Sequence, residues 1–420
     1  MRSIANRLMV GASLPLLAAT QAHSEDQVGF AHESYVEDHG RMTVNTETIR
    51  VQLTPLPWLD VTARGVYDAI SGATPTGAPA IDQLTLRRPV THEPVPNSAI
   101  TGFTRLIDGV SGASSVAGGT VSHSAIPLAE SHDIRRGGDV AVGLTFGPSR
   151  LTPQVSYSLE NDYVSWAGGL TYSLELNDKN TILSAGWSHA YDRILPTDFS
   201  YLTSREIKNT DEFIVGVTQL LSPQTVVSLS GTIGHAQGYL NDPYRSVVFD
   251  DSALDPNGQV VLQGEKRPSY RESQALLLTA TQALTPLNAS VEASYRFYHD
   301  SYGIVANTVG VEWFQKIGRT AVVSPSLRYY RQSAADFYAI QFRGDPNFDP
   351  ARVPTYYSSD YRLSSLETLT LGIDATLRLG ARWDLRLGYQ RYWMHGLDHQ
   401  TRQSAYPDAN IFTVGLNYRF

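Results

Sequence analysis

The C-terminal stretch NIFTVGLNYRF limits what this chain can become more than any other segment. Phe412, Val414, Leu416, Tyr418 and Phe420 alternate with Thr413, Gly415, Asn417 and Arg419. A period of two sends apolar side chains to one face of a strand and polar ones to the other. Further upstream, Leu369, Leu371, Ile373, Ala375, Leu377 and Leu379 alternate with Thr370, Gly372, Asp374, Thr376 and Arg378. Trp383, Leu385, Leu387 and Tyr389 oppose Asp384, Arg386 and Gly388 in the same way. These strands run about 10–14 residues, where soluble sheets average about 5–6. The pattern therefore predicts an all-β fold, a transmembrane antiparallel β-barrel with a lipid face and a polar lumen.

Connections between the strands alternate between tight and long. The tight set is PLP (55–57), GPSR (147–150), NDKN (177–180), SPQ (222–224), TPLN (285–288), IGR (317–319) and GAR (380–382). Longer connections lie near 72–137, 193–209, 237–268, 334–360 and 396–409, with shorter ones near 160–163 and 299–303. That alternation is expected of periplasmic turns and long extracellular loops. It gives about sixteen strands, with fourteen to eighteen compatible with the pattern. Nine are expected at 27–37, 42–54, 58–70, 138–147, 151–160, 163–176, 181–192, 210–221 and 225–236. The others are expected at 269–284, 289–299, 303–316, 320–333, 361–379, 382–394 and 411–420. An even count puts both ends of the barrel in the periplasm, and a barrel this wide has room for a channel or a plug.

The N-terminus reads as an export signal, residues 1–24, leaving 25–420 as the barrel. Arg2 and Arg7 precede an apolar core from Leu8 to Ala19, and QAHSED supplies small residues for cleavage. With no cysteine there are no disulfides, thiolate metal sites or Cys-x-x-Cys-His haem attachment. A balance of 33 basic against 41 acidic residues argues against nucleic acid as a partner.

The predicted lumen face carries Arg296, Glu312, Arg328, Asp374, Arg378, Asp384, Arg386 and Arg419. Mixed charge of this kind suits a solvated or plugged interior and not a one-sign selectivity ring. His189, His235, His299, His395 and His399 fall near the outer strand ends, where an interfacial belt explains them better than a metal site. Asp345, Asn347 and Asp349 have calcium-loop spacing, but the glycine at position six and the acidic residue at position twelve are missing. No Ser–His spacing singles out a hydrolase pair, and no catalytic residue is assigned.

The region 72–137 carries the remaining signal. DAISGAT (68–74) recurs as DGVSGAS (108–114), so that Asp68, Ser71, Gly72, Ala73 and Thr74 match Asp108, Ser111, Gly112, Ala113 and Ser114. One such heptad is expected by chance in roughly 0.2% of chains this long. Turn chemistry accounts for Ser, Gly and Asp, but not for two copies that agree in order and spacing.

The terminal-Phe strand resembles the assembly signal read by the outer-membrane assembly machinery. The heptads resemble the flavinylation motif of exported redox proteins. There, a periplasmic FAD:protein FMN transferase cleaves FAD and joins FMN by a phosphoester to the last hydroxyl. The resemblance implies covalent FMN at Thr74 and at Ser114. The small residues before each hydroxyl would let another protein's active site approach the backbone.

The wider chain resembles an uncharacterised proteobacterial outer-membrane β-barrel family, a domain of unknown function linked with flavin-transfer machinery. MRSIA, RRGGDV (135–140), WSHAYDRI (187–194), YLNDPYRSV (239–247), ADFY (335–338) and YYSSDYRLS (356–364) carry that resemblance. The expectation is a flavinylated barrel in the outer membrane of a Gram-negative bacterium. It would move electrons between periplasm and exterior, with residues 72–137 as a loop or plug and a small redox or plug subunit as partner. The alternative is a passive porin or transporter without covalent flavin.

Overall fold

A computed structural model describes residues 26–75, 128–197, 200–250, 260–347 and 349–420. The export signal and the second heptad, Asp108, Ser111, Gly112, Ala113 and Ser114, lie outside the described residues.

Nine barrel strands precede the first elements of the mouth. They are β1 (Gln27–Glu37), β2 (Met42–Leu56), β3 (Leu59–Pro75), β4 (Leu128–Phe146), β5 (Ser149–Leu159), β6 (Tyr163–Leu176), β7 (Thr181–Ile194), β8 (Glu206–Ser222) and β9 (Thr225–Gly238). Two short strands follow, β10 (Ser246–Asp250) and β11 (Val260–Gly264). The wall resumes with β12 (Tyr270–Leu284), β13 (Ala289–Asp300), β14 (Val305–Ile317) and β15 (Ala321–Gln332). After the short β16 (Phe342–Arg343) it ends with β17 (Leu366–Leu379), β18 (Trp383–Gly396) and β19 (Ala409–Arg419).

The sixteen long strands form one closed antiparallel barrel in which each pairs with its wall neighbours, and β1 pairs with β19 to seal it. Closure leaves no unpaired edge, which is the condition for a sheet in hydrocarbon. No helix among the described residues is long and apolar enough to cross a membrane. The strands do the crossing. Phe213, Val215, Ile233, Ile373 and Phe412 are each about half or more exposed, on the outward face. So many large apolar side chains in solvent would aggregate a soluble protein; in a bilayer they meet lipid. At the tight-turn end Trp383, Tyr418 and Phe420 form a ring ladder with centroids 4.6 and 5.9 Å apart. Tyr157 and Trp166 pack at 4.4 Å near the opposite rim, completing two aromatic girdles. This is an outer-membrane barrel.

Strand ends differ from expectation in two places. The hairpin β3–β4 runs beyond the expected limits of 70 and 138, with pairing continuing to Pro75 opposite Leu128. The first heptad therefore sits on a strand, not in the long connection. At β17 the expected start at 361 is wrong because Tyr361–Leu363 is a 3-10 turn capped by the Asp360 carboxylate, which accepts the Arg362 N–H. Side-chain capping competes with the ladder there, and the turn is buried inside the barrel mouth.

The apolar core sits in that mouth. Tyr361, Leu366, Tyr392, Met394, Ala405 and Tyr406 form one buried cluster, with Tyr35 and Tyr330 against it. Strands β10, β11 and β16 make a small sheet, β10 antiparallel to β11 and parallel to β16, that binds the two longest described connections together.

Candidate functional site

Three features converge at the long-loop end: the first heptad, a buried ion network and a lumen cavity.

The heptad residues occupy the outer half of β3. Asp68 lies opposite Thr46 of β2 and Arg135 of β4, so all three share the lumen face. Asp68 is 2% exposed and its Oδ2 lies 3.3 Å from Arg135 Nη1, while Arg135 Nε donates to Ser158 Oγ at 3.1 Å. A buried carboxylate needs such a counter-charge. Gly72 has a φ of 123°, and a Cβ there would overlap the Arg41 carbonyl oxygen of the β1–β2 connection. Only glycine fits that approach. Ser71, Gly72, Ala73 and Thr74 pair with His132, Ser131, Glu130 and Ala129 of β4. Asp68 and Gly72 thus have duties in the wall. Those duties require neither a hydroxyl at Thr74 nor a second copy of the heptad.

The network is built from the connections between β9 and β12 and between β15 and β17. Arg362 Nη2 reaches Asp242 Oδ2 at 2.5 Å and also pairs with Asp360. Arg267 bonds Asp360 at 2.8 Å and Glu265 at 2.6 Å, and Arg245 lies 3.3 Å from Asp242. Ser358 Oγ donates to Glu265 at 2.5 Å. Burial opposes ionisation of Asp242, but Arg245 and Arg362 overcome it and hold its carboxyl well below the usual range. Asp360 is held low against burial by Arg362 and Arg245. Three guanidinium groups against three carboxylates make a charge-balanced clamp. Neither composition nor periodicity predicts it. A faint sequence signal is acidic and basic residues close together in NDPYRSV, EKR and SSDYRLS, at or beside segments read as loop.

Under the clamp lies a cavity of about 420 Å³ lined by Glu33, Glu292, Glu312, Arg328 and Tyr392 from the wall and by Tyr361 from above. The predicted lumen charges are paired across strands: Arg386 with Asp374 at 2.8 Å and Arg419 with Asp384 at 3.1 Å. Arg296 and Arg328 lie over Tyr298 and Tyr330 at 5.3 and 5.9 Å. His189 accompanies Trp187 outward and meets Asp211 at 3.0 Å, and His235 packs on Tyr270 at 4.7 Å. Both suit an interfacial belt. Asp345 accepts the backbone N–H of Asn347 at 2.7 Å, Asn347 accepts from Gln263 at 2.8 Å, and Asp349 pairs with Arg352 at 3.0 Å.

The family described as "Protein of unknown function (DUF3570)" matches residues 3–420. The chain belongs to that family. No curated protein matches it. Among solved structures, this DUF3570 member is similar to CdiB from Acinetobacter baumannii, at 9% identity and a TM-score of 0.48, over 95% of this chain and 61% of that one. It is similar to the siderophore receptor PirA from Pseudomonas aeruginosa, at 10% identity and 0.39, over 94% and 62%. It is also similar to OmpT of Vibrio cholerae, at 8% identity and 0.40, over 94% and 97%. The chain spans less than two thirds of the length of the first two.

Proposed function

We propose that this barrel carries covalent FMN on Thr74 and Ser114 and takes part in electron transfer between periplasm and cell exterior. The repeated heptad is the observation that carries the proposal. In each modification the hydroxyl oxygen would attack the FMN phosphorus of FAD. The phosphoester forms as the pyrophosphate bond breaks, AMP leaves and the hydroxyl gives up its proton. A periplasmic FAD:protein FMN transferase would supply that chemistry. The flavin contributes one- and two-electron steps, and a small partner with further cofactors would extend the path across the membrane.

Ser71 and Gly72 are paired with both β2 and β4, and Ala73 and Thr74 with β4, which bears on timing. An enzyme reaches a hydroxyl on an unpaired chain more readily than one on a strand held in the ladder, so modification would precede barrel assembly.

The test is in-gel fluorescence and intact mass of protein from cells that express the transferase. The expected result is one or two FMN additions, reduced by Thr74→Ala or Ser114→Ala and lost in the double variant. A colourless wild-type band of unmodified mass overturns the reading. The lumen cavity favours a second reading, a transporter or porin that carries no flavin. That reading predicts solute flux in the unmodified protein.

A further inference from the structure

We infer a calcium site at the outer rim, formed by Asp133 of β4 with Glu160 and Asp162 of the β5–β6 connection. The three residues each present a carboxylate oxygen, and these oxygens lie within 4.8 Å of one another. Two observations distinguish the group from an ordinary acidic surface.

The first is an unmatched oxygen. Asp133 is 5% exposed, and its Oδ1 accepts the N–H groups of Ile134 at 2.8 Å and Asn161 at 3.4 Å. Its Oδ2, equally buried, has no hydrogen-bond partner among the described residues. A carboxylate oxygen removed from water without a donor is costly, and proteins normally match it with a proton donor or a cation. Asp68 Oδ1, on the same lumen-facing rim, is also buried without a partner.

The second is charge. Asp68, Asp133, Glu160 and Asp162 bring four carboxylates to this rim. Among the described residues the nearby cation is Arg135, which is 3.3 Å from Asp68 and 4.0 Å from Glu160 and donates its Nε–H to Ser158. Tyr244 donates its hydroxyl to Asp162 Oδ2 at 2.5 Å, and that bond neutralises nothing. Among the described residues, four acids around one guanidinium leave a negative excess that a divalent ion would offset.

The donor set selects the ion. All three ligands are oxygens, which disfavours zinc and copper. Calcium takes about six to eight oxygens in a flexible geometry, as three carboxylates from two segments would offer, whereas magnesium demands a near-ideal octahedron and retains several waters. Because Tyr244 belongs to the connection that builds the clamp, an ion here would tie that connection to the β4–β6 wall. The site does not depend on the flavin reading.

The test uses the whole mature chain in detergent micelles, stripped with EDTA and titrated with terbium, then with calcium. Tyr244, hydrogen-bonded to Asp162, would sensitise terbium emission. The expected result is saturable emission displaced by calcium and a calcium-dependent rise in melting temperature. Asp133→Asn and Asp162→Asn should each weaken binding at least tenfold. Asp133→Asn keeps the shape of the side chain, and in EDTA it should melt higher than the wild type because a repelling charge is gone. Absence of saturable emission in the wild type overturns the proposal, as does an Asp133→Asn protein that binds as tightly.

Discussion

Arg362 and Asp242, 120 residues apart in sequence, meet through a 2.5 Å contact between Nη2 and Oδ2 inside the barrel mouth. That pair joins the two longest described connections and lies directly over the lumen cavity. Its removal should act on the mouth and spare the wall.

Arg362→Ala leaves Asp242 and Asp360 buried with one fewer counter-charge. Breaking a buried pair in this way costs about 3–5 kcal/mol. The expected outcome is protease cleavage within residues 239–268 and 334–365 and a larger single-channel conductance in planar bilayers. The barrel itself should keep its heat-modifiable migration, because the ladder from β1 to β19 does not involve Arg362. Loss of the folded band would place the clamp in the wall's stability instead.

The clamp also fixes a pH dependence. Asp242 and Asp360 are depressed by their arginines, so the stability they give is complete above the unfolded carboxyl value of ~3.9 and is lost as pH falls through the folded values. Glu265 is raised by burial, despite Arg267 beside it, and contributes the opposite trend, favouring the closed mouth as pH falls through its raised value. Conductance should therefore stay flat or decline from pH 7 toward 5 and rise only below about pH 4. Opening near neutral pH would contradict the ion assignment.

Gly72→Ala forces a Cβ against the Arg41 carbonyl at a φ of 123°. Strain of this kind costs about 1–3 kcal/mol. Gly318→Ala has a φ of 59° and nothing within 4 Å of the added Cβ, so it is the control for backbone conformation alone. Urea unfolding midpoints in micelles should fall more for Gly72→Ala than for Gly318→Ala. Equal losses would show that the approach of Arg41 yields at no cost.

Leu371 and Thr370 are adjacent on β17, but Leu371 is 43% exposed on the lipid face and Thr370 lines the lumen cavity. Arginine near the middle of the lipid face costs about 2–4 kcal/mol. Leu371→Arg should lower the unfolding free energy by that amount, and Thr370→Arg by a small fraction of it. Equal effects would mean that the assignment of faces is wrong.

The wall was legible because its physics is local. Lipid on one side and polar lumen on the other force the period-two pattern, so Phe412, Val414 and Leu416 alone identify a face. β6 is observed at Tyr163–Leu176, the limits read from alternation. The mouth was not legible. Asp242 and Asp360 have no periodic neighbours, and although each has an arginine two or three residues away, the Arg362–Asp242 contact that joins the two connections spans 120 residues and fits in no window of sequence. Asp68 shows the same limit. Its place in a heptad suggested a modification signal, whereas its partner Arg135 became visible only through the β3–β4 pairing. Segments that carry the family resemblance, YLNDPYRSV and YYSSDYRLS, supply four of the six charges of the clamp, Asp242, Arg245, Asp360 and Arg362.

The seam between β1 and β19 works as a clock. Gln27 pairs with Arg419, so the first strand to emerge during export has no permanent neighbour on that side until the last strand arrives. For that interval Thr74 travels on a chain whose wall cannot close. On the proposed flavin reading, a transferase acting on Thr74 would have the transit of the 346 residues that follow it, 75–420, in which to act. A slower export would lengthen that window, and a chain truncated before β19 would leave it open indefinitely.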